Sequence, residues 1–287
     1  MRSMLIKDLR EYFIRDLKWG WNREAQTVFN FLVAAGKFVR GGVVLDAGAG
    51  YKRYKPFFQK SLYLSQEHSA GIHLKGMQGV QYSLINPIDK KIPLKDSCLD
   101  AILSTVVLEH LRYPDRFFQE AFRVLKPGGK VFVQVPFFYF EHEVPYDYNR
   151  PTRYGLKRWL EDAGFKKLSI RPTSSCTANV VFFLPYAFVY DLFRTNKHPK
   201  YIFEHLIKTH QFYRLIVMIP LFIVAFFGYV ALILFGELIK LIADRGPYID
   251  ANMPMGWIAV GMKPGRSTKR LFRSEEDFLK KYREVSA

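Results

Sequence analysis

Cysteine is nearly missing from this chain. Cys98 and Cys176 are the only two among 287 residues, too few and too widely separated for a disulfide framework or a zinc cluster. A reducing, cytosolic setting is therefore expected, and no metal site. Acidic residues are also scarce: 26 Asp and Glu face 43 Lys and Arg, a formal net charge of +17. That excess invites a polyanionic partner, either nucleic acid or an anionic membrane surface, and the placement of the charges must choose between them. The opening residues MRSMLIKDLREYFIRDLKWGW carry charges throughout and lack an uninterrupted apolar core, so no signal peptide is expected. No stretch reads G-x-x-x-x-G-K-[ST], which excludes a P-loop. No internal repeat or low-complexity tract is visible either.

What is present is a globular composition, 49% hydrophobic and 24% charged, long enough for one large domain or two small ones. Residues 1–42 read as amphipathic helices, closed by Gly41 and Gly42. From Val43 to about Ile170, short apolar runs alternate with helical patterns, which predicts an α/β fold with a parallel sheet. Strands are expected at VVLDAG, SLYLSQE, LDAILST, KVFVQVP and KKLSIRPT. One helix is expected through DRFFQEAFRVL, stopped by Pro127, Gly128 and Gly129. A second is expected through TRYGLKRWLEDAGF, with Thr152 as N-cap and Gly164 just past its end.

The stretch VVLDAGAGYKRY, from Val43 to Tyr54, bears most directly on function. A buried strand running into Gly48 and Gly50 is a turn built for a ligand. A dinucleotide site wants G-x-G-x-x-G, and the third glycine position is Arg53. A pyrophosphate can still approach the backbone, so that reading is weakened and stays open. The shorter D-x-G-x-G turn suits S-adenosylmethionine, which has no pyrophosphate to cradle. Asp46 would then lie near the cofactor's cationic end, although such a turn can also be an ordinary tight bend. Glu67 follows at the end of the second strand, where an acidic group reaches ribose hydroxyls in a doubly wound sheet. It can equally be a solvated carboxylate.

The segment IPLKDSCLDAILSTVVLEHLRYPDRFFQEAFRVLKPGGKVFVQVP resembles the class I S-adenosylmethionine-dependent methyltransferases, in particular the small-molecule group with LEH after a strand and an RVLKPGG turn. HEVPYDYNRPTRYGLKRWLEDAGF resembles a subset of glycan- and lipid-modifying relatives, and GWIAVGMKP resembles the family's final antiparallel strand. The resemblance implies a Rossmann-like, doubly wound sheet of seven strands with the last antiparallel, and S-adenosylmethionine as cofactor. It also implies roles at matching positions. Asp46, Ala47, Gly48 and Gly50 would shape the methionine pocket, and Glu67 would hold the ribose. Thr105, Leu108, Glu109 and His110 would floor the cofactor cleft. The adenine contact falls to Asn86 or Asp89, between which the register does not decide.

Methyl transfer asks the protein to align an acceptor and exclude water. An oxygen or nitrogen acceptor also needs a base to take its proton. The loop FFYFEHEVPYDYNR holds His142, Asp147, Tyr146 and Tyr148 on the edge where α/β sheets bind ligands. His142 is the candidate base, Asp147 its alternative or its orienting partner, and Tyr146 and Tyr148 are candidate substrate contacts. The same His142 and Asp147 can instead tie down their own loop. His110 reads as a cleft residue and not as a base.

The last informative region lies between SIRPT and GWIAVGMKP. From Leu215 to Phe235 no residue is charged, long enough for a membrane span on hydropathy alone. A strand that rejoins the sheet requires paired crossings, and a spanning hairpin would carry Arg194, Lys197, Lys200, Lys208 and Arg214 across the membrane, against the positive-inside tendency. A monotopic helical hairpin lying in one leaflet meets both constraints; a buried cap or a homo-oligomer contact would also hide these residues. Anionic lipid accounts for the basic excess and the apolar run together, so a membrane surface is expected as partner and nucleic acid is not. No N-P-P-Y or D-P-P-Y motif of amino-directed enzymes is present. The expected organisation is N-terminal helices at 1–42, a core at 43–178 and 255–264, a membrane-associating insertion at 179–254, and a basic tail at 265–287. The expected function is methyl transfer at the cytoplasmic face of a membrane, to a lipid, a lipid-linked glycan or another amphiphilic acceptor. A nucleic-acid or protein methyltransferase and a non-catalytic scaffold are the alternatives.

Overall fold

The computed structural model describes residues 23–68, 77, 79–87, 90–174, 254–266, 272 and 274–284, with isolated positions between 220 and 231. Three strands show why the sheet is parallel at its centre. Strands β1 (Val43–Ala47), β2 (Leu62–Glu67) and β4 (Leu99–Thr105) are buried along almost their whole length. Strands covered on both faces have no polar side to alternate with an apolar one. Successive β1 residues therefore serve different cores. Val43, Leu45 and Ala47 join one apolar cluster, and Val44 joins the other.

Helix α1 (Arg23–Val39) covers one face. Its Val28, Leu32, Ala35 and Val39, spaced to share a stripe, are buried in one cluster with Val44, Ala101, Leu103 and Phe132. The other face is covered by α2 (Pro114–Val124) through Phe117, Phe118, Ala121 and Val124, and by α3 (Arg153–Asp162) through Leu156 and Leu160. Thr152 caps α3, its Oγ1 accepting from Gly155 N at 3.1 Å, and Gly164 follows with φ +97°. Both features agree with the sequence reading.

Among the described residues seven strands form one sheet in the order β3-β2-β1-β4-β5-β7-β6, where β3 is Leu84–Ile85, β5 Leu125–Pro136, β6 Lys166–Pro172 and β7 Gly256–Met262. β1 pairs in parallel with both β2 and β4, and β7 runs antiparallel between β5 and β6. The strand order reverses between β1 and β4, and the crevice beyond the carboxyl ends of the strands there is where open α/β sheets take ligands.

Two differences from the sequence reading have local causes. Helix α2 ends at Val124, before the proline-glycine run, because Leu125 already pairs with Leu99. The register then shifts between Leu99 and Ala101. Buried Lys126 places Nζ 2.9 and 3.0 Å from the two carboxylate oxygens of buried Asp100. Asp100 Oδ2 also accepts from Val43 N at 2.9 Å, so one carboxylate ties β5 to the start of β1. The second difference is the C-terminal stretch, read as a basic tail. It contains helix α4 (Glu275–Tyr282), capped by Ser274 and opened by Glu275, Glu276 and Asp277, a charge order that suits the helix dipole. Phe278 is fully buried, and Lys95 N donates to Tyr282 O at 2.8 Å. The short strand β3 was not expected either.

The chain divides into two compact units, Met1–Thr173 with Met255–Ala287, and Ser174–Pro254. The expected helix over the first 22 residues, Asp89, most of the apolar insertion and part of the basic tail lie outside the described residues. Among the described residues, no helix is long and apolar enough to cross a membrane.

Candidate active site

The turn after β1 is held by its neighbour strand. Gly48 N and Ala49 N both donate to Gln66 O at 3.0 Å. Gly48 has φ +79°, and a Cβ there would stand 2.3 Å from Val107 Cγ2, so the position admits glycine alone. Gly50 has φ +50°, and a Cβ on it would meet nothing within 4 Å. This glycine keeps a space open. Glu67 closes the turn from the side: its Oε2 accepts from Gly50 N at 2.9 Å and its Oε1 from His68 N at 3.0 Å. Each oxygen keeps a further lone pair for a ligand hydroxyl.

Asp46 is sealed from solvent. Tyr63 donates its hydroxyl to Oδ2, while Oδ1 is buried without a hydrogen bond. Burial pushes its carboxyl up to about 7, with the Tyr63 hydrogen bond opposing and the Glu67 charge adding. Ala47 is fully buried in the sheet. Asn86 lies at the end of β3, its Oδ1 accepting from Gln66 Nε2 at 2.8 Å and its amide donating to Glu67 O at 3.1 Å. Sequence reasoning missed Tyr82, whose hydroxyl donates to Gly50 O at 2.8 Å. An isolated tyrosine in irregular chain carries no signal of such a contact.

A second group of residues assembles beyond β4 and β5. Thr105 ends β4 and is buried; Leu108 packs into the apolar core. Glu109 and His110, read from the sequence as floor of the cofactor cleft, stand against His142. Tyr148 N and Asn149 N donate to Glu109 O at 2.7 and 3.2 Å, and Asn149 Nδ2 donates to Leu111 O. These bonds draw the loop after β5 down onto the Leu108–His110 turn. The rings of His110 and His142 meet edge to face, 4.9 Å between centroids.

His110 Nδ1 lies 2.7 Å from Tyr146 O, and His142 Nδ1 lies 3.1 Å from Phe140 O. A carbonyl only accepts, so an Nδ1 bonded to one carries a proton and Nε2 is the ring nitrogen turned toward Glu109. Both Nε2 atoms stand 3.7 Å from Oε1 of fully buried Glu109. The Glu109 carboxylate raises the His142 pKa above its ordinary value, against the opposing effect of burial.

Asp147 is spent on its own loop. Burial opposes its ionisation, yet the Arg150 guanidinium and the His142 amide outweigh that and hold its carboxyl below the usual range. Arg150 grips both carboxylate oxygens, with Nη2 at 2.6 Å from Oδ2, and also donates to Phe140 O at 3.1 Å. His142 N donates to the same Oδ2 at 2.9 Å. Bidentate pairing of this kind fixes orientation, so Asp147 positions His142 and leaves its Nε2 as the atom able to take a proton. Arg150 was not singled out from the sequence, although its spacing of three residues after Asp147 is a usable signal. Tyr146 and Tyr148 are exposed on the loop, Arg112 lying over the Tyr148 ring at 5.5 Å.

A doubly wound sheet closed by an antiparallel strand, with this glycine turn at its reversal point, defines the class I S-adenosylmethionine-dependent methyltransferase fold. Comparison with known proteins agrees. Residues 45–133 match a family described as methyltransferase domain. An uncharacterized methyltransferase of Mycobacteroides abscessus is 32% identical over 104 residues, covering 33% of this chain and 40% of the relative. The match thus spans less than half of that relative's length. Among solved structures, a chain from a complex between a methyltransferase activator of Haloferax volcanii and a methyltransferase is similar in fold, with a TM-score of 0.51 at 14% identity over 91% of this chain and 96% of that one. Residues 45–133 thus match a methyltransferase domain, within a chain that has the class I S-adenosylmethionine-dependent methyltransferase fold. Its residues fit that cofactor: a Cβ at Gly50 would meet nothing within 4 Å, and Glu67, which accepts from Gly50 N, keeps acceptor capacity for a ligand hydroxyl beside that space.

Proposed function

We propose that this protein transfers a methyl group to an oxygen or nitrogen of an amphiphilic acceptor, a lipid or lipid-linked glycan, at the cytoplasmic face of a membrane. S-adenosylmethionine, when bound, supplies an electrophilic methyl group. The chain's own work is then to bind, to orient and to move one proton. Glu67 accepts from ribose hydroxyls, and the Gly48–Gly50 turn leaves room for the methionine end. His142 Nε2 takes the acceptor's proton, while Asp147, Arg150 and the Phe140 carbonyl fix the ring and the buried Glu109 charge stabilises the imidazolium that results.

The observation that carries the choice of acceptor is the character of the loop bearing His142. Phe138, Tyr139, Val144, Tyr146 and Tyr148 are all exposed there, beside a ring system that includes Tyr139 at 5.4 Å from His142. Apolar side chains gathered at the mouth of a charged cluster suit a substrate with an apolar body and a polar reacting group. The uncharged run Leu215–Phe235 and the +17 net charge support membrane attachment through one leaflet and its anionic headgroups.

Mass spectrometry of a lipid extract incubated with the protein and isotope-labelled cofactor tests the reading. Label in an extractable amphiphile is expected. Label confined to nucleic acid or protein would refute it. Sedimentation with anionic vesicles tests attachment, and full solubility of the wild-type chain without detergent would favour a buried cap or a dimer contact for the apolar run.

A further inference from the structure

Three titratable side chains from two loops come to one point. Glu109 and His110 lie on the turn after β4, and His142 arrives from the loop after β5. Among the described residues, one ligand atom from each can be chosen so that all lie within 4.8 Å of one another. We propose that Glu109, His110 and His142 bind a divalent transition-metal cation. The claim to binding stands on this geometry alone; the role given to the ion deepens the methyl-transfer reading and rests on it.

The orientation of the rings is the first argument. Both Nδ1 atoms face backbone carbonyls, which turns both Nε2 atoms toward one carboxylate oxygen. Metal-bound histidines show this outer hydrogen bond almost without exception, because it fixes the tautomer and makes the ligating nitrogen more basic. Unmet polar demand is the second argument. Oε1 and Oε2 of Glu109 and Nε2 of His110 are all buried and make no hydrogen bond. A fully buried carboxylate without a donor is costly, and a cation among the three atoms answers all of them together. Spacing is the third. Ligand atoms about 2.1 Å from a shared tetrahedral cation stand about 3.4 Å apart, and each Nε2 is 3.7 Å from Glu109 Oε1. Those two separations exceed the ideal by a few tenths of an ångström, and every pair of ligand atoms lies within 4.8 Å.

Two imidazoles and one carboxylate favour zinc, cobalt, manganese or iron over magnesium and calcium, which prefer oxygen alone. Three protein ligands leave coordination positions open. With the ion bound, His142 Nε2 is a ligand and gives up the role of base; in the methyl-transfer reading, an acceptor oxygen takes one of the open positions. The ion then draws electron density from the acceptor's O–H, whose proton passes to water while the electron pair stays on oxygen. No electron is gained or lost by the ion.

Cobalt(II) provides the probe, since its visible absorption reports ligand number and type. Full-length protein stripped with a chelator should take up one equivalent and develop ligand-field bands. Glu109→Gln, His110→Ala and His142→Ala should each weaken cobalt binding tenfold or more, while cooperative thermal unfolding at the wild-type temperature shows that the variant is folded. Should Glu109→Gln lose both, His142→Gln on the exposed loop decides. Absence of bands in the wild type, or bands that survive in the His110→Ala, His142→Ala double variant, would overturn the proposal. Activity on labelled lipid separates the two readings. Chelated protein that keeps full turnover while His142→Ala is inactive leaves His142 as base and removes the ion's role. Cobalt bound at the three residues without any labelled lipid leaves the site standing and refutes the acceptor.

Discussion

The two halves of the candidate active site are built from different materials. The cofactor half, between β1 and β2, is made of backbone: Gly48 and Ala49 amides on Gln66 O, the Gly50 amide on Glu67, and one glycine whose missing side chain leaves space. The acceptor half, beyond β4 and β5, is made of charged and titratable side chains: Glu109, His110, His142, Asp147 and Arg150. The difference follows from what each half handles. An already activated cofactor needs a shaped, pre-organised cradle, which backbone supplies with little conformational freedom to lose. An acceptor must lose a proton, and that requires groups whose charge state can change.

Separability of the halves is the sharpest consequence. His142→Ala should lower turnover on the order of 10²-fold or more with the affinity for S-adenosylhomocysteine almost unchanged, measured by single-turnover kinetics and calorimetry. An equal loss in both would mean that His142 holds the structure of the whole cleft. The converse variant, Glu67→Ala, should weaken cofactor binding by about 1–3 kcal/mol, through lost charge-assisted hydrogen bonds. Preference for NADH over S-adenosylmethionine in the same calorimeter would break the assignment of the cofactor half altogether.

Asp46 gives the cofactor half a pH signature of its own. Its folded pKa of about 7 lies above the ordinary 3.8. Between those values the folded chain holds a proton that the unfolded chain has released, so stability falls as pH rises through the window. The slope is at most about 1.4 kcal/mol per pH unit. Thermal unfolding followed from pH 5 to pH 8 should show the decline, and Asp46→Asn should flatten it; an unchanged slope would mean that Asp46 is ionised when folded. The smallest effect lies at the end of the acceptor loop. Thr152→Ala removes the cap that accepts from Gly155 N and should cost about 1 kcal/mol of stability, read by denaturant unfolding, without altering cofactor affinity.

The same contrast explains what could be read before the structure was in hand. Val43–Ala47 with Gly48 and Gly50 announced the first half, because a strand and its turn are neighbours in sequence and only glycine tolerates the backbone there. Thr152 and Gly164 marked the ends of α3 for a similar local reason. Helix α2 was misjudged at its end because Leu125 pairs with Leu99, a partner remote in sequence. Helix α4 was missed inside a basic stretch, since Phe278 gains its stabilisation only when buried against the core.

Local pattern by itself determined the parallel sheet, the glycine turn and the acidic group that ends β2, while the antiparallel closing strand came from the family resemblance. Each of the first three is a statement about backbone geometry over a few residues, and backbone geometry is encoded by the residues that adopt it. Only the tertiary structure decided that Glu109 and His110 belong with His142, that Asp147 is consumed by Arg150, and that Asp46 is sealed behind Tyr63. Those outcomes depend on two loops from different strands meeting across the sheet edge, with Tyr148, Asn149 and Tyr146 bonding to the Glu109–Leu111 turn. Side chains acquire their charges, tautomers and partners from such meetings, and spacing along the chain does not carry them.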